Sequence, residues 1–449
     1  MKKIGSGICI FILLTFILSA CGSNKIVQKE ETREEIPKST EKKEDLVTVK
    51  FLIASFSDMS DAQLVEDAIN EILAARYGIQ MELIYVDSRI WEESVNRMLK
   101  IEDEVDVLML YKTALTTYVN NGALLNLDEY YNNSSERFRE LCPEEELTSI
   151  RFEGKLYSIR NFKNNADYIS LNMNAEMVEE LGIEIDKIHS LEDVEEVLKL
   201  VKETYPDVIP LGPQGNAILS DLWTWDGIGD KQYLGVLENR GQSLEVKNLF
   251  DTEEFYEFCS TMRDWYLKGY IMQDILSNTE NGTHLVQDGK VFAHFNNSTP
   301  AKMEGIVQAS IIPAWTMASN YSSLTYGIHK NTKHPDECFT LMEAIYTDHE
   351  IISLLVNGIE GVHWVYANEE KTLLTYPEGE NSRTAKYNGG IMYWSFPYAK
   401  EMIPWAPSEA NLYEDMELFN ESAITSMGDG MIFDSARVIN EYSACLNVM

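Results

Sequence analysis

The sequence predicts an α/β protein built as two lobes, and three observations carry that expectation. Strand and helix patterns alternate over residues 47–110, as a parallel sheet with crossover helices requires. The chain of 449 residues is long enough for two or three domains. Beyond residue 190 the pattern becomes richer in helix, and no repeat of about 20–50 residues stands out.

Taken in order, the N-terminus comes first. Lys2 and Lys3 precede an almost wholly apolar run at residues 8–18, and Leu18-Ser19-Ala20 leads into Cys21. A charged start, a short apolar core and small residues before a cut define a secretory signal. The run is too short for a stable membrane span, which needs about 20 residues. Leu-Ser-Ala-Cys also resembles the lipobox of bacterial lipoproteins, which implies an acylated Cys21 at the mature N-terminus. The alternative is an ordinary signal with a cysteine there by chance. Residues 1–20 are therefore read as signal peptide. Residues 21–45, without an aromatic and dense in Lys, Glu, Ser and Thr, are read as a flexible tether.

Residues 47–54 (VTVKFLIA) read as a strand, and 61–77 as a helix with Leu64, Val65, Ala68, Ile69, Ile72 and Leu73 on one face. Residues 81–86 and 105–110 read as further strands, separated by a helix at 90–100. Ser190 with Asp193 marks a helix start, and residues 251–268 form another helix, ended by Gly269. Lys290 opens a short strand to Phe295, and 334–358 gives two helical segments broken near Thr347-Asp348.

Composition narrows the function. Removing residues 1–20 takes away two lysines and no acid, so the net charge goes from −36 to −38 (−36 − 2). A basic face, the footprint of nucleic-acid binding, is not expected. The four cysteines of the body, Cys142, Cys259, Cys338 and Cys445, lack C-x-x-C spacing and are expected as buried free thiols rather than metal ligands. No H-E-x-x-H, G-x-S-x-G, G-x-G-x-x-G or P-loop pattern occurs, so neither a metal, a cofactor nor a catalytic residue is assigned.

In an open sheet, ligands bind beyond the carboxyl ends of the strands. Those ends carry Ser57, Asp58, Tyr111 and Thr113, suited to hydrogen-bonding a hydroxylated ligand. Seven of eight tryptophans lie beyond residue 220. Trp265 shares a helix face with Phe258 and Met262 and reads as core. Trp223, Trp225 and Asp226 in DLWTWDGIGD, Trp315, and Tyr393 and Trp394 in GGIMYWSF are the remaining candidates. Flat rings cover the C–H faces of sugars while Asp and Asn accept hydroxyl hydrogens.

The ordered set GKLYSI (154–159), WYLKGYI (265–271), Ala344-Ile345-Tyr346-Thr347-Asp348 and NGIEGVHW (357–364) resembles the extracellular solute-binding lipoproteins of ABC importers, in the oligosaccharide branch with a C-terminal domain of unknown function. The resemblance implies a periplasmic-binding-protein-like (type II) fold with a hinge between lobes. It implies an N-lobe of residues 46–158 and 280–327 and a C-lobe of 159–279 and 328–449. It also implies a monomer that carries a carbohydrate to permease subunits at the extracellular face of the membrane. Closure would bring Asp58 or Tyr111 against Trp225 or Trp394. Two other readings stay open: a surface carbohydrate-active enzyme using paired carboxylates, and a ligand-sensing receptor.

Overall fold

The computed structural model describes residues 46–101, 104–161, 166–213, 224–228, 235–278, 280–317, 324–397, 401–431, 433–434 and 438–446. The expected signal peptide at 1–20, the expected tether at 21–45 with Cys21, and Trp223 lie outside the described residues. The strands in chain order are β1 (Val47–Ser55), β2 (Ile79–Asp87), β3 (Val107–Tyr111), β4 (Ser158–Arg160), β5 (Asp167–Asn174), β6 (Ile209–Leu211), β7 (Asp226–Gly227), β8 (Val236–Leu237), β9 (Val246–Lys247), β10 (Val291–Ser298), β11 (Ile306–Thr316), β12 (Leu324–Ile328), β13 (Val365–Tyr366), β14 (Leu374–Thr375) and β15 (Ile424–Thr425).

Two five-stranded sheets organise them, β2-β1-β3-β12-β4 and β15-β11-β5-β10-β6. In the first sheet β1 runs parallel to β2 and β3, and Phe51, Leu52, Ile53 and Ala54 are all fully buried. A strand covered on both faces needs such an unbroken apolar run. The helix Ala62–Arg76 supplies part of that cover through Val65, Ile69 and Leu73. Helices Pro335–Thr347 and His349–Asn357 add Leu341, Ile345, Ile352 and Leu355 to the same core.

The second sheet is amphipathic in a different sense. On β5, Ile169, Leu171 and Met173 join the apolar core with Val194, Leu198 and Val201 of helix Leu191–Thr204 and Trp265 of helix Glu253–Leu267. The alternate residues Ser170 and Asn172 are equally buried but polar. Ser170 Oγ lies 2.6 Å from Ser298 Oγ, Gln308 Nε2 donates to Ser298 Oγ (3.2 Å), and Tyr168 donates to Gln308 Oε1 (3.1 Å). These buried polar atoms pair with one another, Ser170 Oγ also donating to Asn172 Oδ1 (2.7 Å), while Asn172 Nδ2 has no partner among the described residues.

The lobe boundaries differ from those expected. Residues 280–327 were expected in the first lobe, yet β10 and β11 flank β5 in the second sheet, and only β12 returns to the first. The reason lies in register: Ala293 faces Met173 and Phe295 faces Leu171, so β10 continues the apolar face of β5. Residues 328–449 were expected in the second lobe, yet the two helices at 335–357 fill the first core. The thiols also differ in part, since Cys142 and Cys338 are buried while Cys259 and Cys445 are exposed.

After residue 357 the chain stays against the first lobe. Trp364 Nε1 donates to the Gly358 carbonyl (3.1 Å), Tyr387 to the Leu355 carbonyl (2.6 Å) and Trp405 Nε1 to Asn357 Oδ1 (3.0 Å). A Cβ on Gly389 would sit 2.4 Å from the Val356 carbonyl oxygen, so this contact requires glycine. The chain then turns to the second lobe, where Phe419 of helix Leu412–Ser422 meets Tyr168 edge-on and β15 pairs with β11.

Candidate functional site

Strand register fixes which residues share an edge. In the first sheet Ser55 is level with Asp87, Leu324 with Tyr111, and Thr325 with Arg160. In the second, Trp315 is level with Asp167 and Ser298 with Tyr168. The chain leaves the first sheet at Arg160 and enters the second at Asp167. It leaves the second at Thr316 and re-enters the first at Leu324. Two crossovers from one edge to the other mean that these edges neighbour each other. Ser55, Asp87, Tyr111 and Arg160 therefore border the junction on one side, and Asp167, Ser298, Trp315 and Thr316 on the other.

The expected residues distribute unequally over this junction. Ser57 and Asp58 follow Ser55. Asp58 is exposed, and its carboxylate accepts from the Ser60 N–H (2.9 Å), closing a turn. Tyr111 ends β3 with its ring edge-on to Trp91 at 6.4 Å, and burial pushes its hydroxyl pKa up to about 12. Thr113 lies in the first turn of helix Lys112–Asn120, and Trp394 in the turn Tyr393–Ser395. The side chains of Thr113 and Trp394 lie outside the described residues. Tyr393 packs against the first core while its hydroxyl pairs with the Thr299 side chain, just beyond β10. It thus spans both lobes, and burial holds its pKa above the usual phenol range.

Three expected residues prove to be interior. Trp315 is 2% exposed within β11. Trp225 is also 2% exposed, edge-on to Phe255 and Phe258 at 6.0 and 6.3 Å. Asp226 is fully buried on β7. A Cβ on Gly241 would meet Ser426 Oγ at 2.0 Å and Asp226 Oδ2 at 3.1 Å. Gly241 therefore sits between Ser426 and Asp226, and Ser426 donates its N–H to the Thr316 carbonyl (3.0 Å) at the edge of the second sheet.

Trp225 and Phe258 also wall a pocket of about 350 Å³ inside the second lobe, with Thr224, Glu192, Glu195 and Glu254. Glu254 accepts from the Thr224 hydroxyl. Lys268, then Trp265 Nε1 at 3.2 Å, hold the Glu195 carboxyl below the usual carboxylate range. Aromatic walls with carboxylate acceptors suit a hydroxylated ligand. Sequence reasoning missed Trp91, Asp167, Thr299 and the pocket glutamates. Trp91 was signalled by its place just after the carboxyl end of β2; the others come together only through long-range pairing.

Among the described residues no group of three or more His, Cys, Asp or Glu is arranged to hold a metal ion.

Two α/β lobes, joined by paired crossovers with strand ends meeting at the junction, define a two-lobed ligand-binding protein. The chain belongs to the bacterial extracellular solute-binding protein family, whose model matches residues 67–354. A carbohydrate ABC transporter substrate-binding protein of Streptococcus pneumoniae serotype 4 is 22% identical over 390 residues, covering 85% of this chain and 77% of that relative. The N-glycan transport solute-binding protein NgtS of S. pneumoniae superposes with a TM-score of 0.77 at 19% identity, covering 90% of this chain and 89% of that one. The S. pneumoniae substrate-binding protein FusA, in complex with kestose, gives 0.60 at 15% identity, covering 87% and 88%. At these identities the structures share the fold with this chain.

Proposed function

We propose that this chain binds a carbohydrate, with an oligosaccharide as the leading candidate, and delivers it to the permease of an ABC importer. The reading extends to an acylated Cys21 that tethers a monomeric receptor to the outer face of the cell membrane through residues 21–45. One observation carries the ligand class: rings and hydroxyl-bonding groups concentrate where the two sheet edges meet, namely Tyr111, which packs on the buried Trp91, with Asp87, Asp167 and Tyr393. Rings stack on sugar faces, and the carboxylates accept hydroxyl hydrogens. The carbohydrate named for the pneumococcal relative, the N-glycan named for NgtS and the kestose in the FusA complex support the same class. We read the protein as a non-enzyme, because the family is one of binding proteins.

Intrinsic fluorescence titration against oligosaccharides and peptides tests the ligand class. A saturable change with a glycan is expected, and a response to peptides alone would overturn it. Incubation with the same glycans should release no new reducing ends; their appearance would favour an enzyme. Metabolic labelling with a fatty-acid analogue tests the anchor, with label expected on the wild type and lost in Cys21→Ser.

A further inference from the structure

Residues 358–397 belong mechanically to the first lobe. Tyr387 and Asn388 are fully buried, and Tyr387 is bonded to the helix His349–Asn357 through the Leu355 carbonyl. Lys386 O accepts from the Asp61 N–H (3.2 Å), beside helix Ala62–Arg76. Asn388 Nδ2 donates to the Ser382 carbonyl (2.7 Å), so the turn holding Arg383 is fixed to this body.

From that turn Arg383 reaches the second lobe. Its Nη2 lies 2.8 Å from Asp288 Oδ1 and donates to the His284 carbonyl at 3.3 Å, at the end of helix Gly282–Gln287. Arg383 is 41% and Asp288 33% exposed, so the pair is reachable by solvent and salt. Lys290 Nζ stands 3.7 Å from the same carboxylate and is the other cation beside it.

Position makes this contact informative. Asp288 stands just before β10, whose far end, Ser298, borders the crossover edge. Eight residues of strand span about 25 Å. A rigid-body rotation of about 15°, swung about the crossovers at that radius, displaces Asp288 by roughly 6 Å. Ion pairs are lost well before that separation. Contacts near the crossovers, such as Tyr393 with Thr299, move far less.

We propose that Arg383 and Asp288 form an electrostatic latch across the lobes, which favours the lobe arrangement of this structure and must break when the lobes rotate. The inference rests on the proposed lobe motion of a binding protein, not on the identity of its ligand. An exposed pair of this kind shifts the ratio of two lobe arrangements about two- to fivefold.

Single-molecule energy transfer on the ligand-free mature chain (residues 21–449) tests it. Dyes are placed on Leu64→Cys and Leu276→Cys, one per lobe and both exposed in the native chain, with Cys21, Cys259 and Cys445 changed to Ser. The population at the distance of this structure should fall two- to fivefold relative to other distances between about 50 mM and about 500 mM NaCl. Arg383→Gln should give the low ratio at both salts, and Arg383→Asp combined with Asp288→Arg should recover the wild-type ratio at low salt. A distribution unmoved by salt and by Arg383→Gln overturns the latch. So does a double swap that fails to recover what each single change loses. Since no sugar is added, failure of the carbohydrate reading leaves this result untouched.

Discussion

At the scale of single residues, Trp225 separates packing from binding. The segment DLWTWDGIGD reads as loop because Gly and Asp punctuate it. The fold nevertheless buries the ring against Phe255 and Phe258, brought from about thirty positions downstream. Trp225→Ala should therefore destabilise the second lobe by about 3–5 kcal/mol, read as a lower denaturant midpoint. An unchanged midpoint with weakened ligand binding would instead make the ring a contact of the ligand. Trp265 was legible as core because its partners Phe258 and Met262 lie on its own helix face.

His294 is the second residue with a clear consequence. It is fully buried; its Nδ1 lies 3.0 Å from the Phe295 carbonyl, and its Nε2 lies 3.3 Å from Thr283 Oγ1. A neutral ring that donates from Nδ1 and accepts at Nε2 satisfies both. Burial lowers its pKa from 6.5 to about 4. Between those values the unfolded chain holds more protons than the folded one, so stability falls as pH falls through that window. The loss amounts to roughly 3 kcal/mol. His294→Gln should flatten the stability profile between pH 6.5 and 4, measured by urea denaturation at several pH values. An unaltered profile would place the acid sensitivity on other groups.

At the scale of elements, local signals are legible in the sequence and partnerships are not. The strand expected at 47–54 is Val47–Ser55, and the break expected near Thr347-Asp348 separates two helices there. The Ser190 cap is present: its Oγ accepts from the Asp193 N–H (3.1 Å), while the Asp193 carboxylate accepts from the His189 N–H (3.0 Å). Ser190→Ala should cost about 1 kcal/mol, detectable as a shift in denaturant midpoint, whereas no shift would mean that Asp193 alone holds the helix start. What the sequence did not reveal is which sheet takes β10 and β11. Alternation names a face of a strand, but the neighbour is chosen by register across more than a hundred residues, as with Phe295 and Leu171.

At the scale of the whole molecule, two lobes and an α/β class were legible because alternation and length suffice for them. The junction residues were legible only where they end strands of the first sheet, as Tyr111 does. Asp167 owes its place to the first crossover and Thr299 to the pairing of β10 with β5, and neither carries a local pattern of its own. We place the ligand at the junction. Tyr111→Ala should therefore weaken binding at least tenfold while leaving the second lobe intact.

Calorimetric titration of the wild type and Tyr111→Ala with oligosaccharides tests this most directly. Saturable one-to-one binding by the wild type is expected, with an affinity at least tenfold lower in the variant. Equal affinities in the two proteins, or binding of peptides and of no glycan, would contradict it.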